Sequence, residues 1–89
     1  MDTIRIASIR TDDWYALRDW LAAHGWQLQH GGGLDHCWAD LGKGTLRICM
    51  EYDRWGEGEI AFPAAACEAV LAELPENFRH AYLAHLSGR

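Results

Sequence analysis

Between Trp26 and Phe62 apolar and polar residues alternate with a period of two, broken by glycine-bearing stretches at Gly31–Gly33, Lys43-Gly44 and Trp55-Gly56-Glu57. That period marks strands with one buried face, so the segment predicts a four-stranded antiparallel meander. Glycine supplies the φ > 0 positions of a two-residue primed turn. With Gly31-Gly32 as the first loop, Leu28 faces Asp35 and Trp26 faces Cys37. With Lys43-Gly44 as the second, Leu41 faces Leu46, Ala39 faces Ile48 and Cys37 faces Met50. Both registers gather Trp26, Leu28, Cys37, Ala39, Leu41, Leu46, Ile48, Met50 and Tyr52 on one face, and a one-residue slip would turn that set to water. An odd-length third loop, of three or five residues, is required to bring Ile60 and Phe62 to the same side.

The opposite face collects Gln27, Gln29, His36, Trp38, Asp40, Arg47, Cys49, Glu51, Asp53 and Glu59. In these registers Asp40 faces Arg47, Trp38 faces Cys49, and His36 faces Glu51 with Gln27 beside it. It is a solvated face in composition, with Trp38 as its one large aromatic.

The flanks read as helices. Thr11 is a good N-cap, Asp12 and Asp13 complement the helix dipole, and the spacing of Trp14, Leu17, Leu21 and His24 predicts one buried stripe with Trp20 at its edge. Gly25 fits a left-handed C-terminal cap, giving a helix from about 12 to 24. A second helix is expected from Phe62-Pro63, with the stripe Cys67, Val70, Leu71 and Leu74. Pro75 ends it and opens a third, which sets Phe78, Tyr82 and Leu86 on one side. Residues 3–9 alternate around Ile4 and Ile6 and form either a short strand or a loose lead-in. The fold class expected is α+β, one domain over residues 1–89, with the meander covered by all three helices on its apolar face. The polar face is then open, at least in a monomer.

Composition narrows the chemistry. Eight Lys and Arg against thirteen Asp and Glu give a net charge of −5, the wrong sign for a phosphate-binding footprint, so no direct nucleic-acid contact is expected. Arg5, Arg10, Arg79 and Arg89 are expected to lie outside the sheet. Five tryptophans in 89 residues supply a core without disulfide or metal. Cys37, Cys49 and Cys67 form no C-x-x-C pair and suit a reducing compartment. The N-terminus lacks a signal-peptide apolar run and no stretch has transmembrane length. A cytoplasmic protein with no membrane association is expected.

Several constellations compete. His36 beside Glu51 is the nearest approach to an acid–base pair, although exposed cross-strand pairs commonly have no chemistry. His30, His36, Cys37 and Cys49 could be recruited to a metal, but strand alternation turns Cys37 inward while His36 and Cys49 point outward. His80 and His85 stand too far apart around a helix to share an ion. Gly31–Gly33 lacks the lysine and following helix of a phosphate loop. No low-pKa setting marks any thiol as a nucleophile. No catalytic residue, metal site or cofactor is therefore expected. The aromatic and acidic residues carry more: Trp38 and Trp55 amid Asp40, Glu51, Asp53, Glu57 and Glu59, with His36 alongside, have the make-up of a protein-binding hot spot with an acidic steering field.

No motif identifies a family. In size, acidity and absence of catalytic motifs the chain resembles bacterial immunity proteins and phage-encoded inhibitors such as anti-CRISPR proteins. That resemblance, one of class without an alignable stretch, implies a non-enzymatic protein that occludes a basic, nucleic-acid-handling partner through its polar sheet face. The alternatives are a small metal- or His/Glu-dependent enzyme, and a homodimer that buries Trp38 against its twin.

Overall fold

The computed structural model describes residues 2–33, 35–53 and 57–84. They form β1 (Thr3–Ile9), α1 (Thr11–Ala23), β2 (Gln27–Gly32), β3 (His36–Lys43), β4 (Leu46–Asp53), β5 (Gly58–Pro63), a 3-10 turn (Ala64–Ala66), α2 (Cys67–Glu73) and α3 (Glu76–Tyr82). The fold is α+β. The strands form one antiparallel sheet in the order β1-β5-β4-β3-β2. The four-stranded meander is present, and residues 3–9 add a fifth strand beside β5.

The inward set is the one the alternation predicts, but two registers differ. β2 runs through Gly31 and Gly32, which pair with Trp38 and Cys37, so Leu28 faces Leu41 rather than Asp35. Gly31-Gly32 is strand and not loop. The second hairpin turns at Gly44-Thr45: Leu41 faces Ile48, Ala39 faces Met50 and Cys37 faces Tyr52. Gly44 has φ 62° and Thr45 does not join it at positive φ, which fits a type II′ turn with glycine at its first central position. Both corrections move the partner by an even number of residues, so every side chain keeps its face. Between β4 and β5 the ladder closes at Tyr52 and Gly58, an odd five-residue spacing, and Ile60 and Phe62 point to the core as expected.

β1 needs a device of its own. Ile4 and Ile6 face the core in simple alternation, but Ile9 would then face out. A bulge between Ile6 and Ile9, with Ser8 at φ 61°, resets the phase so that Ile9 is fully buried opposite Gly58. Arg5 thus lies within the sheet, contrary to the sequence expectation.

All three helices pack on the apolar face. Trp14, Leu17 and Leu21 of α1, Val70 of α2, Leu74, and Phe78 of α3 join Ile48, Met50, Ile60 and Phe62 in one core. Burying a Leu-sized side chain contributes about 1.5–3 kcal/mol. The Trp14 ring lies on the backbone of Gly58, where a Cβ would stand 2.7 Å from its Cγ. Its indole N–H reaches the Glu59 carbonyl at 3.4 Å.

The helix ends differ from expectation at their starts. Thr11 is the first helical residue rather than the cap, which is Arg10 without a side-chain cap bond. The Thr11 hydroxyl instead shares a 2.7 Å hydrogen bond with the Tyr52 hydroxyl. Gly25 does close the helix, at φ 95°, and the Trp26 N–H donates to the Leu21 carbonyl at 3.1 Å, a Schellman bond. Pro63 ends β5 rather than opening a helix. Pro75 caps α3 as read. The Tyr82 hydroxyl donates to Asp13 at 2.5 Å and accepts the Arg10 N–H at 3.2 Å, which ties α3 to the start of α1. Burial, and then the Asp13 bond, raise its pKa above the usual phenol value. Leu86, Trp55 and His85 lie outside the described residues. Among the described residues no helix is long and apolar enough to cross a membrane.

Candidate interaction face

With the helices on one side, the outward residues of β1 to β5 form an open face. Trp38, on β3 beside the β2 edge, is 37% exposed and is the exposed large apolar side chain among the described residues. The alternation of β3 points it outward, and the revised register sets it opposite Gly31 on one side and Glu51 on the other. Its ring covers Gly31: a Cβ there would meet Cζ2 at 3.0 Å and Cε2 and Nε1 at 3.2 Å. The glycine that the sequence assigned to a turn is the seat of the indole. An aromatic laid across a strand glycine shields exposed backbone, so Trp38 has a structural role.

The acidic residues gather partly as expected. Asp40, Glu51, Asp53 and Glu59 all lie on this face. Glu57 is exposed just before β5, and Trp55 lies outside the described residues. The predicted opposite pairs are replaced: Asp40 faces Cys49, Trp38 faces Glu51 and His36 faces Asp53, while Arg47 and Gln27 flank Gly42. His36 and Glu51 become diagonal neighbours, Nε2 to Oε1 at 3.9 Å with side chains 50% and 62% exposed. An ion pair at that distance in that much solvent is worth little.

Glu51 and Glu59 stand directly opposite each other, an unfavourable arrangement for two carboxylates. The residue that relieves it was missed in the sequence. Arg5 of β1 donates to Glu59 Oε2 at 2.8 Å. Arg47 lies over Gly42 and donates to the Gly44 and Leu46 carbonyls at 2.9 and 2.8 Å. Only the placement of β1 in the sheet, which the alternation at Ile4 and Ile6 left open, could have located Arg5 here. Two shallow hollows mark the face. One, of about 470 Å³, is lined by Gln27, Gln29, Asp40, Lys43 and Arg47. The other, of about 380 Å³, is lined by Arg5, Arg47, Cys49, Glu51 and Glu59.

Cys49 is exposed on this face. Partial desolvation first, then the negative charges of Asp40 and Glu51 and a hydrogen bond to Asp40, raise its thiol pKa. The thiol is thereby held protonated, the reverse of an activated nucleophile. Cys37 is half-buried and accepts a hydrogen bond from the Tyr15 hydroxyl at 3.6 Å, which raises the tyrosine's pKa. No group of three His, Cys, Asp and Glu side chains among the described residues converges on a metal-sized site; His30 and Cys37 lie on the helix side of the sheet, and His36 and Cys49 on the other.

Comparison of the chain with protein-family models, with curated proteins and with solved structures finds no match.

Proposed function

We propose that the protein is a non-enzymatic, cytoplasmic binding protein whose open sheet face docks and occludes a basic partner protein, in the manner of immunity and anti-CRISPR inhibitors. The observation that carries this reading is Trp38, exposed on the face with its ring laid over Gly31 and Glu51 opposite it on β4. A rigid aromatic loses little conformational freedom on binding, and such residues dominate interface energetics. Asp40, Glu51, Asp53 and Glu59 outnumber Arg5 and Arg47 around it, so the face attracts cationic surfaces and speeds their encounter. A nucleic-acid-handling protein presents such a surface where it meets phosphate.

The experiment is affinity capture from the source cell with graded salt, followed by binding measurements on Trp38→Ala and Glu51→Lys. A basic partner is expected, released as salt rises and weakened at least tenfold by each substitution in a folded protein. The diagonal approach of His36 and Glu51 keeps an acid–base site as the second reading. A His36 titration that moves in Glu51→Gln would favour it.

A further inference from the structure

The two edges of the sheet are finished differently. β1 carries Arg5, and its pairing breaks at the bulge around Ser8; charge and bulge are both devices that stop an edge from accepting another chain. β2 has neither. Its residues, Gln-Leu-Gln-His-Gly-Gly, include no charge and no proline, and its register with β3 runs from Gln27 to Gly32 without a shift. The Gly33 N–H donates to the His36 carbonyl at 2.8 Å, which makes these two a hydrogen-bonded pair at the end of the ladder. Hydrogen-bonded and non-hydrogen-bonded pairs alternate in an antiparallel ladder. Gly31, Gln29 and Gln27 therefore turn their backbone groups toward β3, and Leu28, His30 and Gly32 turn theirs outward. Leu28 is half-buried and His30 exposed, so the helix layer leaves this margin accessible.

We infer that β2 is a self-pairing edge, on which two copies of the chain join antiparallel about a two-fold axis at His30 and extend the sheet across both molecules. The strand is complementary in shape to itself in that register. Leu28 meets Gly32 of the partner subunit, Gln29 meets Gly31 of the partner subunit, and Gln27 meets Gly33 of the partner subunit. Each side chain of the first half lies beside a position that has none. Charge does not oppose the junction. Asp40, paired with Gln29, is separated from its symmetry mate by three strand spacings, roughly 14 Å, which exceeds the Debye length of about 8 Å at physiological salt. The outward groups of Leu28, His30 and Gly32 gain partners, as in strand addition generally. Because the axis is perpendicular to the sheet, both open faces stay uncovered and both Trp38 rings lie on the same side. The inference therefore stands or falls separately from the docking reading. One six-residue edge buries less than the roughly 800 Å² per partner of a standard interface, so the dimer is weak and concentration-dependent.

Sedimentation equilibrium of the full chain, from about 10 µM to about 1 mM to span weak affinities, tests this together with amide exchange by NMR. The mass is expected to rise from 10.1 kDa toward twice that value. The Leu28, His30 and Gly32 amides should exchange more slowly as concentration rises, while those of Gln29 and Gly31 stay protected throughout. His30→Pro removes an outward N–H that β3 does not use, and His30→Lys places two like charges at the axis. Both should hold the monomer mass at the highest concentration, and His30→Lys decides if the proline variant loses its circular dichroism. A wild-type monomer at the highest concentration overturns the inference. So does a dimer that survives His30→Lys, or one in which the His30 amide exchanges freely.

Discussion

Gly58 shows how much can depend on an absent side chain. The Trp14 ring occupies the space a Cβ would need, so Gly58→Ala forces the indole or β5 to move. Overpacking of this kind destabilises by about 1–3 kcal/mol, and the variant is expected to show a lower urea midpoint with an unchanged slope. Nothing in the sequence distinguishes this glycine from its neighbour in the Trp55-to-Gly58 break, because its partner is 44 residues away. The same holds for Gly31, which reads locally as a turn but lies in β2, where the Trp38 ring covers it. Cys49 makes a pH prediction. Burial and neighbouring carboxylates raise its pKa, so its thiolate fraction at neutral pH is below that of an ordinary thiol. Site-resolved alkylation should be slower than for an unfolded control at pH 7 and should accelerate at a higher pH than the control does. Asp40→Asn should speed it.

At the scale of elements, faces were legible and registers were not. Period-two alternation decides which side a residue takes, and an even slip leaves every side unchanged, so the pattern could not separate a turn at Lys43-Gly44 from the observed one at Gly44-Thr45. The diagonal approach of His36 to Glu51 and the direct opposition of Glu51 to Glu59 follow from that slip and from β5. β1 was half-legible: Ile4 and Ile6 alternate, but the phase change that buries Ile9 needs the bulge, which a serine does not announce. Ser8 holds φ 61°, a region costing non-glycine residues about 1–2 kcal/mol. Ser8→Gly is therefore expected to raise the melting temperature and Ser8→Val to lower it, as measured by thermal unfolding. The carboxylate pair gives the complementary test. Removing the repulsion in Glu51→Gln should stabilise the fold by about 0.2–1 kcal/mol in urea, and under the docking reading it should also weaken partner binding.

For the molecule as a whole, the decisive fact is that one layer of helices covers one side of a five-stranded sheet. That asymmetry was readable from the sequence, because the apolar residues of the meander fall on a single face and the helical stripes suffice to cover it once. Which charges share the open face was only partly readable: the acids came from the meander itself, whereas Arg5 arrived with a strand at the far edge. The resulting surface is acidic and carries one exposed aromatic, Trp38, and our central claim is that a basic protein docks there. The most direct measurement is parallel affinity capture from the source cell with the wild type, Trp38→Ala, Glu51→Lys and, as a control on the exposed side of α2, Glu68→Lys, each first shown to be folded. The account predicts one basic partner held by the wild type and by Glu68→Lys, released by salt, and lost from both face variants. A partner retained by Trp38→Ala and Glu51→Lys would contradict it.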